Sequence, residues 1–316
     1  MRVLHMTDVH FYRPPSLGAA IGKRTLGLVN LHVLGRSHHF DADGLVPLAI
    51  ADALTQAPDL FVMTGDMTAL ASEDEFVAAR AAFAPLLDSL PSVVVPGNHD
   101  LYTTGARRHA RMEQHFGPFM GGGTWDAQAK RWVGGWDAAA AQSGEPAPWP
   151  VRFRIGDVDV IATNPCKPGL RAEGRFGPGA IERAEELVRG SKADGQVVVY
   201  LLHYPVMGPD GLPYDQAGHS LQDLSELLAS LRRAPPDAIL HGHKHIAFRG
   251  ALQVDATRSV PIFGCGSSAA ASPLPDRAAG YFLFDVQDKQ IGHVRRRRLE
   301  LQARRFVPDP ERSDPM

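Results

Sequence analysis

The sequence predicts an α/β fold, and three observations carry that expectation. Short apolar runs rich in β-branched residues recur along the chain. Helical periodicity fills the gaps between them, and near the end the pattern changes to strands joined by tight turns. The runs Arg2–Met6, Leu60–Met63, Val93–Val95, Val158–Ala162, Val197–Leu202 and Ala238–Leu240 read as buried strands.

The helices have their own start and stop signals. Ser72 through Glu75 forms a capping box, in which the Ser side chain and the Glu side chain satisfy each other's backbone N–H groups. Phe76, Phe83, Leu87 and Leu90 follow at helical spacing, with Arg80 the polar exception. Pro178 opens a second helix with Ile181, Ala184 and Val188 on one face and Gly190 as its stop. Ser220 opens a third, carrying Leu221, Leu224, Leu227, Leu228 and Leu231, which Pro235 and Pro236 close. Farther on, Phe263, Tyr281–Val286 and Ile291–Arg297 read as consecutive strands in antiparallel hairpins, the last two joined through Gln287, Asp288 and Lys289. The run Arg295–Arg298 would project to both faces of a strand, which suggests a solvated edge. The tail beyond Val307 is polar and proline-rich and is expected to fray.

The organisation expected is one domain over residues 1–300 and a polar tail over 301–316, with insertions near 11–43 and 101–150. The first insertion carries a basic amphipathic stretch over 17–39. Its simpler reading is a helix packed on the core; the sharper one is a lid whose Lys23, Arg24 and Arg36 meet an anionic or lipid-linked substrate. Peripheral membrane contact through this stretch is the less favoured reading. Gly18 to Lys23 imitates a phosphate-binding loop, but the glycine spacing is one residue short and Arg24 stands where Ser or Thr is required.

Composition narrows the class. The 316 residues are 44% hydrophobic, enough for a substantial core. Net charge is −2, so no global basic field favours nucleic acid. Cys166 and Cys265 fit neither a disulfide framework nor a paired-cysteine metal site. The N-terminus lacks a signal-like apolar stretch, and a cytoplasmic location is the expectation.

Polar residues follow the predicted strands in a recurring way. In open α/β sheets, ligands bind beyond the carboxyl ends of strands. Asp8 and His10 follow the first strand, Gly65-Asp66 the second, and Gly97-Asn98-His99-Asp100 the third. His203 follows the run ending at Leu202, and His241-Gly242-His243-Lys244-His245 follows Leu240. Singly each is unremarkable, since a Gly-Asp is usually a turn and a lone His usually a hydrogen-bonded one. The ordered set, always at strand exits, is specific.

These blocks, D-x-H, G-D, G-N-H-D, H and G-H-x-H, resemble the calcineurin-like metallophosphoesterase family from about Val3 to His245. The stretch after Asp66 is similar to the cyclic-nucleotide phosphodiesterase branch, with Ala69 where that branch often has Asp. The resemblance implies a four-layer α-β-β-α sandwich of two mixed sheets flanked by helices. It implies two divalent or mixed-valence ions, Mn, Fe or Zn, whose identity the ligands leave open. Asp8, His10 and His245 would hold the first, Asn98, His203 and His243 the second, and Asp66 would bridge them. A metal-bridging hydroxide would attack phosphorus in a phosphodiester or phosphomonoester. His99 would protonate the leaving alkoxide, and Asp100 would orient His99 unless it caps the next helix. Asn164 is expected near the substrate, whereas His5 and His241 read as packed or supporting residues and Lys244 as facing away from the site. The partner expected is a small phosphorylated molecule. Alternatives on the same site are a nucleotide-linked lipid pyrophosphatase, a nuclease, or a non-catalytic protein-binding member.

Overall fold

A period of two runs through the strands and decides the layering. Val3, Leu60, Val62, Val93, Val95, Val197, Val199, Leu201 and Leu240 belong to one apolar cluster, while their neighbours Leu4, Phe61, Met63, Val94, Val198, Tyr200 and Ile239 belong to another. Alternate side chains leave a strand on opposite faces. The first cluster therefore lies between two sheets and the second beneath the helices. In the computed structural model, residues 1–14, 40–137, 139–140, 145–169 and 171–314 are described.

In chain order the strands are β1 (Arg2–Met6), β2 (Leu60–Met63), β3 (Ser92–Val94), β4 (Gly123–Asp126), β5 (Arg131–Val133), β6 (Val151–Ile155) and β7 (Val158–Ala162). They continue with β8 (Val197–Leu201), β9 (Ala238–His241), β10 (Ala247–Gln253), β11 (Ser259–Cys265), β12 (Gly280–Gln287), β13 (Gln290–Glu300) and β14 (Arg305–Pro308). They form a six-stranded sheet, β14-β13-β12-β1-β2-β3, and an eight-stranded sheet, β10-β11-β9-β8-β7-β6-β4-β5. β1, β2 and β3 run parallel, as do β7, β8 and β9, while the outer strands pair mostly antiparallel. The expected α/β sandwich of two mixed sheets is what forms.

The described helices are α1 (Ala42–Thr55), α2 (Glu73–Leu87), α3 (Thr104–Arg108), α4 (Arg111–Phe116), α5 (Ala180–Ala193) and α6 (Leu224–Arg233). The capping box at Ser72 and Glu75 is present in full. α5 differs from expectation by running through Gly190. A helix-interior glycine costs only about 1 kcal/mol relative to Ala, and the chain turns only at Gly195, whose φ is +71°. α6 starts four residues later than Ser220. Gln222 donates its N–H to the Gly174 carbonyl and Asp223 accepts from Phe176 N, which commits this stretch to the neighbouring loop. None of the described helices is long and apolar enough to cross a membrane.

The C-terminal third departs most from the sequence reading. The strand containing Phe263 is β11, which joins the eight-stranded sheet, while β12 and β13 form their hairpin in the other. β13 is also not an edge, because β14 pairs along it from Arg297 to Glu300. Each of three successive arginines meets acids from other segments. Arg295 lies 3.0 Å from Asp285, Arg296 2.5 Å from Asp309, and Arg297 reaches both oxygens of Asp52 on α1. Arg296 is completely buried beside a buried Asp309. The tail beyond Val307, expected to fray, is thus held through residue 314 by Asp309, Ser313 and Asp314, which bond back to β13. The stretch 101–150, expected as an insertion, is likewise partly sheet, since β4 extends the eight-stranded sheet beside β6 and β5 forms its edge.

Removing one partner of a buried ion pair leaves an uncompensated charge, at about 3–5 kcal/mol. Asp309→Ala is therefore expected to lower unfolding stability by about that amount. The shift of the urea midpoint at constant m-value measures it; a change below about 1 kcal/mol would contradict the burial argument.

Candidate metal centre

The polar residues that follow β1, β2, β3, β8 and β9 meet in one place. One atom each from Asp8, His10, Asp66 and His245 lies within 4.8 Å of the others, and the same holds for Asp66, His203 and His243. Asp66 is common to both groups. The six-stranded sheet brings Asp8, His10, Asp66 and Asn98, and the eight-stranded sheet brings His203, His243 and His245.

Local backbone geometry explains how loops place so many side chains together. Asp8, His10, Asp66, His243 and His245 all have φ between +52° and +73°. Non-glycine residues in this left-handed region cost on the order of 1–3 kcal/mol each, and they persist where surrounding contacts over-determine them. Those contacts are visible. Asp8 N donates to Gly65 O, and Val9 N and His10 N both donate to Asp66 O, which zips the first two loops together. His243 N donates to the Asp8 carboxylate at 3.0 Å, Thr7 Oγ1 donates to it at 2.6 Å, and Ser267 Oγ donates to the Asp8 carbonyl. The glycine in each motif is required by approach distance. A Cβ on Gly97 would stand 2.1 Å from Asp66 Oδ1, and one on Gly242 would stand 2.2 Å from Asp8 Oδ2.

Hydrogen bonding fixes which imidazole nitrogen faces inward. His203 Nδ1 lies 2.7 Å from the Thr64 carbonyl and His243 Nε2 lies 3.0 Å from the His219 carbonyl, so both outer nitrogens carry hydrogens. The inner ones, His203 Nε2 and His243 Nδ1, are 3.2 Å apart, with Asn98 Oδ1 at 3.1 and 2.9 Å from them. On the other side His10 Nε2 and His245 Nε2 are 3.0 Å apart, and His245 Nε2 is 3.1 Å from Asp8 Oδ1. Asp66 Oδ2 stands between the groups, 3.3 Å from His203 Nε2 and 3.7 Å from His10 Nε2. Its other oxygen accepts the backbone N–H of His99 at 2.8 Å.

The charges answer each other. Burial opposes ionisation of Asp66, but His203, His99 and His10 outweigh it and hold its carboxyl well below the usual range. Burial opposes the His203 imidazolium in the same way, and Asp66 overcomes it, raising this group to about 9. His243 is held neutral by burial and by the neighbouring His203. With no ion bound, the proton held on His203 separates the electron pairs around Asp66, Asn98 and His243; a metal ion among these oxygens and nitrogens would take its place. A mixed oxygen and imidazole set of this kind fits borderline first-row ions, so the residues present fit a pair of such ions.

The chain matches calcineurin-like phosphoesterases over residues 1–247. It belongs to that family. The phosphoesterase is therefore a metal-dependent hydrolase acting on ester bonds. Solved structures with the same fold include a dimetal phosphatase from Danio rerio, 13% identical, TM-score 0.57, covering 93% of this chain and 94% of that one. A purple acid phosphatase from yellow lupin seeds (Lupinus luteus) is also 13% identical, TM-score 0.54, covering 97% of this chain and 52% of that one. No curated protein matches the sequence.

The other expected residues fall in different places. His99 stands at the centre's rim, its ring edge-on to His10 at 4.9 Å and stacked on Tyr102 at 5.5 Å. Asp100 does not orient it. The Asp100 carboxylate accepts from Gly97 N, Thr68 N and Thr68 Oγ1, and His99 Nδ1 instead meets the Ala69 carbonyl at 2.7 Å. Burial, with the charge of Asp66, pushes Asp100 up to about 7. It is a staple between the loops after β2 and β3, and the next helix is capped by Thr103 instead. Asn164 accepts from Cys166 N at 2.9 Å, which ties it to its own loop. Lys244 turns from the ligands to Gln216, over the Tyr214 ring. His5 and His241 are buried and lowered to about 3 and about 4, chiefly by burial. Lys23 and Arg24, with residues 15–39 as a whole, lie outside the described residues.

Sequence reasoning passed over several supports. The Thr64, Ala69 and His219 carbonyls orient rings, and no side-chain pattern announces a carbonyl. Ser267 and Ser268 follow β11 as the ligands follow their own strands, which was an available signal. Phe40 lies against the centre, 4.6 Å from the His10 ring and 5.0 Å from that of His245.

Because a Cβ at position 242 collides with Asp8, Gly242→Ala is expected to fold yet hold less metal than the parent protein. Elemental analysis beside a circular dichroism melt tests this; full metal content in the variant would refute the steric argument.

Proposed function

We propose that this phosphoesterase hydrolyses small phosphate esters at a binuclear centre in which Asp66 is shared. The observation that carries the reading is the placement of Asp66. One carboxylate oxygen is pinned by His99 N, and the other stands between His10 on one side and His203 on the other. Asp8, His10 and His245 complete the first site. Asn98, His203 and His243 complete the second. When bound, two divalent ions supply Lewis acidity toward phosphoryl oxygens and acidify water to serve as the nucleophile.

The chain's own groups do the rest. Asp66 and Asp8 supply negative charge that offsets repulsion between cations. Asn98 contributes a neutral oxygen, so the second site keeps more of its electrophilicity. His99 is held by Ala69 with its hydrogen on Nδ1, and its Nε2 would pass a proton to the departing alkoxide. The β1 loop, which bears His10, lies beside this position, with Phe40 packed on the His10 ring. Substrate selection falls to the two insertions, since the ligand set prepares the attack without reading the leaving group.

Turnover of bis-p-nitrophenyl phosphate and p-nitrophenyl phosphate tests the class and separates diester from monoester preference. Dialysis against a chelator is expected to abolish turnover, and readdition of Mn, Fe or Zn to restore it. Asp66→Asn is expected to be inactive in any assay where the parent turns over; retained activity would remove the shared carboxylate from the reading. His99→Gln is expected to lower kcat by about 10²–10⁴-fold with metal content intact. Loss of metal together with rate would show that His99 acts on the centre's assembly instead.

A further inference from the structure

Beyond the matched span, which ends at residue 247, the chain returns to the centre from behind. Arg312 Nε donates to the Ala247 carbonyl at 2.9 Å. Ala247 opens β10 two residues after His245. Its N–H donates to the Asp276 carbonyl at 2.7 Å. The loop carrying Asp276 is held in turn by Arg296, whose guanidinium donates to the Pro275 and Ala278 carbonyls at 3.2 and 2.9 Å. Asp309 joins the two ends, 2.5 Å from Arg296 and 3.3 Å from Arg312. Arg249 on β10 reaches Asp314 at 2.7 Å, and Asp314 also accepts from Val294 N on β13.

We propose that residues 305–314 form a clasp that positions His245, and through it the first metal site, with Arg312 and Asp309 as its positioning residues. The argument rests on where the bonds land. The clasp joins β13 of one sheet to the first residues of β10 in the other, at the end of the loop that carries His243 and His245 and on the side nearer His245. His245 is held in left-handed backbone, φ +54°, and such a residue keeps its place only while its flanks are fixed. On its C-terminal side those flanks are Arg312 and the Arg296-held loop. His203 and Asn98 follow β8 and β3, which these contacts do not touch. The inference rests on the binuclear reading above for its metal consequence, but its structural consequence stands without metal.

Arg312→Ala removes the bond to Ala247 while Arg296 and Asp309 keep each other, so the buried pair stays compensated. Hydrogen exchange followed by mass spectrometry on the metal-free protein is expected to show at least tenfold faster exchange over 245–249. Exchange over 60–68 and 197–204 should stay unchanged. Titration with Mn²⁺ is expected to show one of two sites weakened by about 10–100-fold, as for loss of other supports behind metal ligands. Arg312→Lys, which retains one donor, is expected to recover most of both effects. Unchanged exchange over 245–249, or acceleration spread evenly over all three segments, would overturn the clasp. If the parent protein binds no Mn²⁺, the binuclear reading falls, and the exchange pattern alone decides the clasp.

Discussion

Electron pairs crowd together in this molecule around Asp66. Two imidazole nitrogens stand 3.0 Å apart on one side of Asp66 and two others 3.2 Å apart on the opposite side, with an amide oxygen and carboxylates filling the remaining directions. Each outer nitrogen of the second pair is already committed to a carbonyl, so its inner one cannot take a hydrogen without becoming cationic. The left-handed backbone at five of the ligands, the glycines beside them and the zipped loops after β1 and β2 all serve to hold that opposition in place. Those features are unfavourable taken singly. They make sense as the framework of a site whose favourable interactions arrive with its cations.

Much of this was legible in the chain. A strand buried on both faces is mostly apolar, and that tendency made β1, β2, β7, β8 and β9 visible as short runs even though β1 carries His5 and β7 Asp159. Residues that hold first-row ions need nitrogen, oxygen or sulfur donors, which His, Asp and Asn supply here, and a strand's end is where a sheet can present them. The motif residues therefore stood out, and the structure brings Asp8, His10, Asp66, Asn98, His203, His243 and His245 together. What stayed hidden was of another kind. Asp100 resembles an orienting acid because it follows His99, yet adjacency along a turn says nothing about direction. Its oxygens point back to Gly97 and Thr68.

The arginine run fails for the same reason. Four cations in a row look solvated when only the chain's own order is seen. Their partners Asp52, Asp285 and Asp309 lie on three other segments, and no local rule connects them. Once β14 has paired, what looked like a rim becomes interior, and Arg296 becomes the largest completely buried side chain of the described residues. Charge patterning reads surfaces well only where the topology is already known.

The centre draws its ligands from both sheets, and it therefore acts as a rivet through two stacked plates. A rivet resists sliding, and it also records it. Shear between the plates would move His203, His243 and His245 relative to Asp8, His10, Asp66 and Asn98. The filling between the plates, Phe263 against Phe284 at 4.8 Å and Phe282 at 5.7 Å among it, is then a gauge block for the chemistry at the rim. Trimming a methylene there would shift those two sets of side chains against each other without touching any of them.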